Sequence, residues 1–220
     1  MQIIIGEEIR QRCPEFKGIA VLASVRNTAF DEALWAEIDH FIDEYRNTYT
    51  TDSIKQMPSI EATREAYKRC GKDPSRYRPS GEALVRRTLK GHDLYRVSTL
   101  VDLINLASIR YGYSIGGFDA DRIEGHMLTL GIGRPGEPYE GIGRGPLNIE
   151  GLPVYRDDVG GIGTPTSDNE RTKLSLQTTR LLAIVNGYDG NQATTLACAQ
   201  YIQLLLQKYA GSDGGRLIFF

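Results

Sequence analysis

The hydrophobic positions of this chain change period several times, and the changes divide it into elements. QIII at the start and FKGIAVLASVRN after it are short apolar runs bounded by turn residues, which predicts two strands, with Gly18 marking a bulge in the second. From Asp31 the period becomes helical. Leu34, Ile38, Phe41, Ile42 and Tyr45 recur with acids between them, so a helix is expected over 31–46 with Asp31 at its start.

Pro58 and Ser59 open a second helix that runs to Cys70 and closes at Gly71. After Pro79, Ser80 is a candidate cap for a helix through EALVRRTLK to Gly91. The next helix is the most apolar. Ser98 or Thr99 starts it, Asp102 sits in its first turn, and Val101, Leu103, Ile104, Leu106, Ala107 and Ile109 leave little polar face before Gly112 ends it. This predicts a helix buried on several sides.

Beyond Gly112 the chain changes character: more than half of its 24 glycines lie between Gly112 and Gly163. Residues 113–125 read as a loop, 126–132 and 152–156 as short strands, KLSLQTTRLLAIVNGYD as a strand, NQATTLACAQYIQLLLQKYAG as a helix and RLIFF as a last strand. Helices and strands neither alternate strictly nor segregate. The pattern predicts a single α+β domain over 1–220, with a mixed, largely antiparallel sheet, packed helices and a helical N-terminal portion.

Composition narrows the function. No apolar run is long enough to span a bilayer, and MQIIIGEEIRQR lacks the basic start and long apolar stretch of a secretory signal, so a cytoplasmic protein is expected. Cys13, Cys70 and Cys198 lie far apart with no C-x-x-C spacing, which argues against a disulfide framework or a zinc site. No cofactor or metal is implied. A net charge of −2 means that a nucleic acid would have to be met by a local basic surface. The densest such cluster is Arg76, Arg78, Arg86, Arg87 and Lys90, with Tyr77 among them to stack a base; a solvated helix face is the plainer reading.

Two familiar chemistries are missing. GIGRPGEP, GIGRGP and GGIGTP each contain G-x-G, but none opens a helix as G-x-G-x-x-G or continues into G-K-[ST], so hairpin glycines explain them better than phosphate binding. There is no G-x-S-x-G, and His40, His92 and His126 lie in unrelated contexts.

One stretch carries a resemblance. VDLINLASIRYGYSIGGFDADRIEG, residues 101–125, places Val101, Asp102, Asn105, Gly112, Phe118, Asp119, Asp121 and Gly125 at the spacings of a V-D-x-x-N helix leading through glycine into F-D-x-D-x-x-x-G. This resembles the B3/B4 domain of the bacterial phenylalanyl-tRNA synthetase beta subunit. RRTLKG before the helix, the Gly136–Glu137 pair, the aspartates 157 and 158, GGIGTPTSD and Thr172 extend the likeness over about residues 64–187.

In that family the domain hydrolyses tyrosine wrongly esterified to the phenylalanine tRNA. The resemblance therefore implies a free-standing B3/B4 protein that does not charge tRNA but cleaves an aminoacyl ester at a tRNA acceptor end, with water as nucleophile and glycine-lined backbone close to the ester. The candidate substrate-binding residues are Asn105, Gly116, Gly117, Glu137, Gly161, Ser167, Asp168 and Gln177; no catalytic residue is assigned. Asn105 can serve a pocket or tie down a loop, Ser167 and Asp168 can position water or cap a turn, and Asp119 and Asp121 fit a local backbone turn.

Two departures stand out. The bacterial editing loop has a histidine where this chain has Gly116, and the glutamate of its later strand aligns with Gln177. Both point away from tyrosine specificity and leave open a second reading, a module that binds tRNA, another RNA or an amino-acid-like ligand without cleaving it.

Overall fold

The computed structural model describes residues 1–220. In chain order its elements are β1 (Gln2–Ile5), α1 (Glu7–Arg12), β2 (Lys17–Ser24), α2 (Glu32–Thr48), α3 (Pro58–Arg69), α4 (Ser80–Leu89), α5 (Thr99–Tyr111), β3 (Ile115–Asp119), β4 (Met127–Ile132), β5 (Glu140–Gly141), β6 (Gly145–Pro146), β7 (Pro153–Arg156), β8 (Gly161–Gly163), β9 (Arg180–Gly187), α6 (Gln192–Tyr209) and β10 (Arg216–Phe219). This is the α+β class with mixed sheets that the hydrophobic pattern predicts.

Two four-stranded sheets form the frame. One has the order β10-β2-β9-β3 and is antiparallel throughout; the other has the order β1-β4-β7-β8, with β1 and β4 parallel and the remaining pairs antiparallel. The period of two in β2 and β9 explains how they stack. Ile19, Val21, Ala23, Leu181, Ala183 and Val185 face a core shared with Leu34 and Trp35 of α2, Val85 of α4, Leu103 of α5 and Ile202 of α6. Ala20, Leu182 and Ile184 face the other way, against Ile3, Leu128, Leu130, Tyr155 and Ile162 of the second sheet. Helices, sheet and sheet therefore make three layers. Because β9 is buried on both faces, it reads as a continuous apolar run and not as an alternation.

Local chemistry sets the helix ends. Asp31 Oδ1 accepts the Leu34 N–H at 2.9 Å and Asn191 Oδ1 that of Thr194 at 3.1 Å, each satisfying an amide that α2 or α6 cannot. Gly112 ends α5 at φ 72°, a conformation that only glycine adopts cheaply. Ser80, in contrast, is not a cap: Pro79 occupies that position, and the Ser80 N–H donates to the Pro165 carbonyl.

Three further expectations are corrected. Gly18 makes no bulge. It pairs regularly with Asn186, and the Phe220 ring fills the space a Cβ would need, 2.2 Å from that position. Residues 113–125 are not all loop, since 115–119 pair with β9 as the sheet's last strand. Only Arg180–Gly187 of the predicted 173–189 strand is extended in the sheet, because Ser175 and Thr178 close a turn through Thr178 Oγ1.

The N-terminal residues belong to the frame that holds the rest. Buried Asn27, just past β2, accepts the Leu100 N–H at 3.1 Å and donates to the Ser175 carbonyl at 2.9 Å and to Ser98 Oγ at 3.3 Å. The first turn of α5 and the 175–178 turn are thus fastened to the same side chain. The three cysteines are free, although folding brings Cys13 and Cys70 into the same buried cluster. No helix is long and apolar enough to cross a membrane.

Candidate functional site

A cavity of about 480 Å³ opens between α4, α5 and the end of the β10-β2-β9-β3 sheet. One stripe of α5 forms its back wall: Val101, Ile104, Asn105 and Ser108 recur at the i, i+3, i+4, i+7 spacing of a helix face. Leu84 of α4, Ile115 of β3, Leu174 and the exposed Val97 and Ile142 complete an apolar lining. Seven of the fifteen lining residues are hydrophobic, which suits an apolar ligand group held by a few polar contacts.

The polar groups are few and specific. Asp168 Oδ2 accepts the Gly117 N–H at 3.0 Å, while Oδ1 has no protein donor. Its neighbourhood is tight: a Cβ on Gly163 would lie 2.9 Å from Oδ1. Burial pushes the Asp168 carboxyl up to about 7, with the Gly117 N–H opposing the shift. The Asn105 amide, half-buried on the cavity wall, has no partner in the protein.

Thr164 organises the adjoining turn. Its Oγ1 donates to the Ser167 carbonyl at 3.0 Å and accepts the N–H groups of Thr166 and Ser167 at 3.2 and 3.1 Å. Asp168 is thereby fixed at the end of a rigid turn. Lys173, on the same wall, is ion-paired with Glu170.

The B3/4 domain model matches residues 62–208. The chain belongs to the B3/4 domain family. This B3/4 domain is also similar to the crystal structure of an N-terminal fragment of the phenylalanyl-tRNA synthetase beta-subunit from Pyrococcus horikoshii, at 12% identity and a TM-score of 0.50. That likeness covers 98% of this chain and 50% of the other, so this chain spans about half the length of the structure it matches. At such low identity the likeness speaks for the fold. No curated protein matches the sequence.

The B3/4 domain gathers half of the predicted substrate-binding residues into the cavity. Asn105, Gly117, Ser167 and Asp168 line it; Gly116, Glu137, Gly161 and Gln177 do not. Gly116 is buried in β3, where the Phe118 ring lies 2.7 Å from the position a Cβ would take. Glu137 sits in a separate concavity, gripped by the Arg156 guanidinium through two hydrogen bonds of 2.6 Å. Burial raises the Glu137 carboxyl, but the Arg156 hydrogen bonds outweigh it and hold the group below the usual carboxylate range. Gly161 lines that same concavity, packed on the Tyr139 ring. Gln177 is exposed at the tip of the 175–178 turn.

The basic cluster is also divided. Arg78 and Arg86 turn to Glu82 on α4, Arg87 lies 4.1 Å above the exposed Tyr95 ring, and Arg76 flanks Tyr77 at 5.8 Å. Lys90 is exposed at the end of α4. Asp119 and Asp121 form the local turn expected of them, with Asp119 Oδ1 accepting the Asp121 N–H at 3.1 Å. None of the three histidines lines the cavity.

Ser108, Thr164, Ile142, Lys173 and Leu174 also line the cavity without having been singled out in the sequence, as does Ser80, which the sequence suggested only as a cap. Ser108 was reachable, since it continues the stripe through Val101 and Asn105. Thr164, Ile142 and Leu174 come from turns, whose side-chain directions follow no period.

Proposed function

We propose that this B3/4 domain hydrolyses an aminoacyl ester at the acceptor end of a tRNA, with the acyl side chain in the cavity between α4 and α5 and water as the nucleophile. The observation that carries the reading is Asp168, a carboxylate on the wall of an apolar cavity whose pKa of about 7 suits a general base at neutral pH.

In this mechanism water attacks the ester carbonyl as the Asp168 carboxylate takes its proton. The tetrahedral intermediate then expels the ribose oxygen, which recovers that proton from Asp168. The amino acid leaves as the free acid and the tRNA as its 3′-terminal alcohol. Asn105, with both ends of its amide free, orients the substrate's amino or carbonyl group. The Gly117 N–H is engaged by Asp168, so its role is to hold the base and not the oxyanion. The basic surface offered to the RNA end is Arg87, stacked over the exposed Tyr95 ring, together with Lys90 at the end of α4.

A binding module that holds the acyl end without cleaving it is favoured by one feature, the absence of a histidine from the cavity lining. Incubation of the purified chain with a panel of charged tRNAs separates the two readings. Accelerated loss of one or more aminoacyl esters, abolished in Asp168→Asn, supports hydrolysis. Saturable binding of the charged tRNA with no ester loss above the spontaneous rate selects the module.

A further inference from the structure

The face of α4 turned away from the cavity carries a second concavity, of about 440 Å³, between α3, α4 and the 51–56 turn. Positions 82 and 86 are about one helical turn apart, placing Glu82 and Arg86 on the side of α4 opposite Ser80 and Leu84, and Arg78 lines the same concavity from just before the helix. Glu82 lies at the centre and is only 2% exposed. Arg64 Nη1 donates to its Oε2 at 2.8 Å and Arg86 Nη2 to its Oε1 at 3.0 Å.

Two charge-assisted hydrogen bonds already compensate one buried carboxylate. Arg78 is a third guanidinium, about half exposed, and its Nε reaches Oε1 only at 3.5 Å. The Arg86 Nε is buried without any acceptor. Lys55, on the rim, is exposed and pairs with no anion. The lining holds five cations (Lys55, Arg64, Lys68, Arg78 and Arg86) against three carboxylates (Glu61, Glu65 and Glu82), a surplus of two positive charges on a chain whose net charge is −2.

A concave surface with surplus positive charge, a half-exposed guanidinium and an unpaired ammonium at its rim, and arginines held in place by a carboxylate beneath them, is built for a tetrahedral oxyanion. We propose that this cleft binds a phosphate group, with the Arg78 fork and the Lys55 ammonium as its free donors and Glu82 as the post that orients the arginines. The phosphate can belong to a small phosphorylated molecule or to an RNA backbone. The site stands on the opposite face of α4 from the ester cavity and does not depend on what that cavity does.

The test uses the full chain titrated separately with inorganic phosphate, pyrophosphate and uncharged tRNA, in wild type and in Arg78→Ala, Lys55→Ala and the double variant. Arg64 and Arg86 remain on Glu82 in every variant, so the unliganded melting temperature is expected to stay close to that of wild type. Should Arg78→Ala lower it, Lys55→Ala alone, an exposed residue with no partner, supplies the comparison. Binding in wild type that weakens about tenfold or more in the double variant, the scale of one lost charge-assisted hydrogen bond, supports the site.

A response to phosphate or pyrophosphate assigns it to small phosphorylated ligands, and a response to tRNA alone assigns it to the RNA backbone. No binding of any of the three to wild type, or equal binding by wild type and the variants, overturns the proposal.

Discussion

The Gly117 N–H donates to Asp168 Oδ2 at 3.0 Å, joining two residues 51 positions apart at the wall of an apolar cavity. One carboxylate oxygen is fixed by backbone, and the other has no protein donor. Restraint of the first gives the second a defined direction, which is what a general base needs.

Asp168→Asn preserves size and retains an amide oxygen for the Gly117 N–H, while removing the proton acceptor. Hydrolysis of a charged tRNA is expected to fall by a factor on the order of 10²–10⁴, the usual contribution of a general base. Single-turnover rates of ester loss measure it. Turnover by the variant at the wild-type rate would remove Asp168 from the mechanism.

The same carboxyl makes stability depend on pH in an unusual direction. Its folded pKa, about 7, lies above the ordinary 3.8, so the folded state holds the proton more tightly than the unfolded chain. This group's contribution is therefore fully present below pH 4 and is lost as pH rises to about 7. Asp168→Asn, which cannot ionise, is expected to be more stable than wild type at pH 8 by on the order of 4 kcal/mol, with the advantage gone at pH 4. Denaturant midpoints at the two pH values test this. Hydrolysis in wild type should rise as pH passes through about 7.

Gly117→Ala probes the cavity wall. The added methyl would stand 2.8 Å from Ile104 Cδ1 and 3.2 Å from Leu174 Cδ1, both ends of flexible side chains. The fold can yield at those tips, so a melting temperature near that of wild type is expected, with the displaced tips narrowing the cavity. Affinity for the charged tRNA should drop by more than affinity for the uncharged one. Equal affinities for both in variant and wild type would show that the acyl group binds elsewhere.

Glu137 and Gln177 resemble site residues in the sequence and are predicted not to behave as such. Glu137→Gln removes the carboxylate charge and leaves only one oxygen to accept from Arg156, and is expected to cost about 3 kcal/mol at neutral pH. Because the Glu137 carboxyl is held below its ordinary range, that contribution is present above about pH 4.5 and disappears as pH falls through the depressed value. Ester hydrolysis should be unchanged in Glu137→Gln under conditions where it is folded, and in Gln177→Ala, whose stability should stay within about 0.5 kcal/mol of wild type. A loss of hydrolysis in either variant would place the reaction outside the α4–α5 cavity.

Much of the frame was legible in the amino-acid order. The long helices, the strands at 2–5, 127–132 and 153–156, and the caps at Asp31 and Gly112 follow from periodicity and from residues with one strong local preference. Asn105 was legible as well, because one amide in an apolar helix stripe must either find a partner or face a space. The strand at 115–119 was missed since two adjacent glycines hide its alternation, and pairing with β9 supplies the hydrogen bonds that local propensity does not.

What the sequence by itself determined is the long helices and most of the longer strands, the family and the presence of a helix that carries one polar group toward a glycine-rich region. Only the tertiary structure decided which polar residues meet there. It put Asp168 against Gly117, gave Glu137 to Arg156, left Gln177 in solvent and divided one basic run between two faces of α4. The physical reason is that period and capping act over a few residues, whereas a cavity is enclosed by turns whose directions are set by contacts distant in the chain.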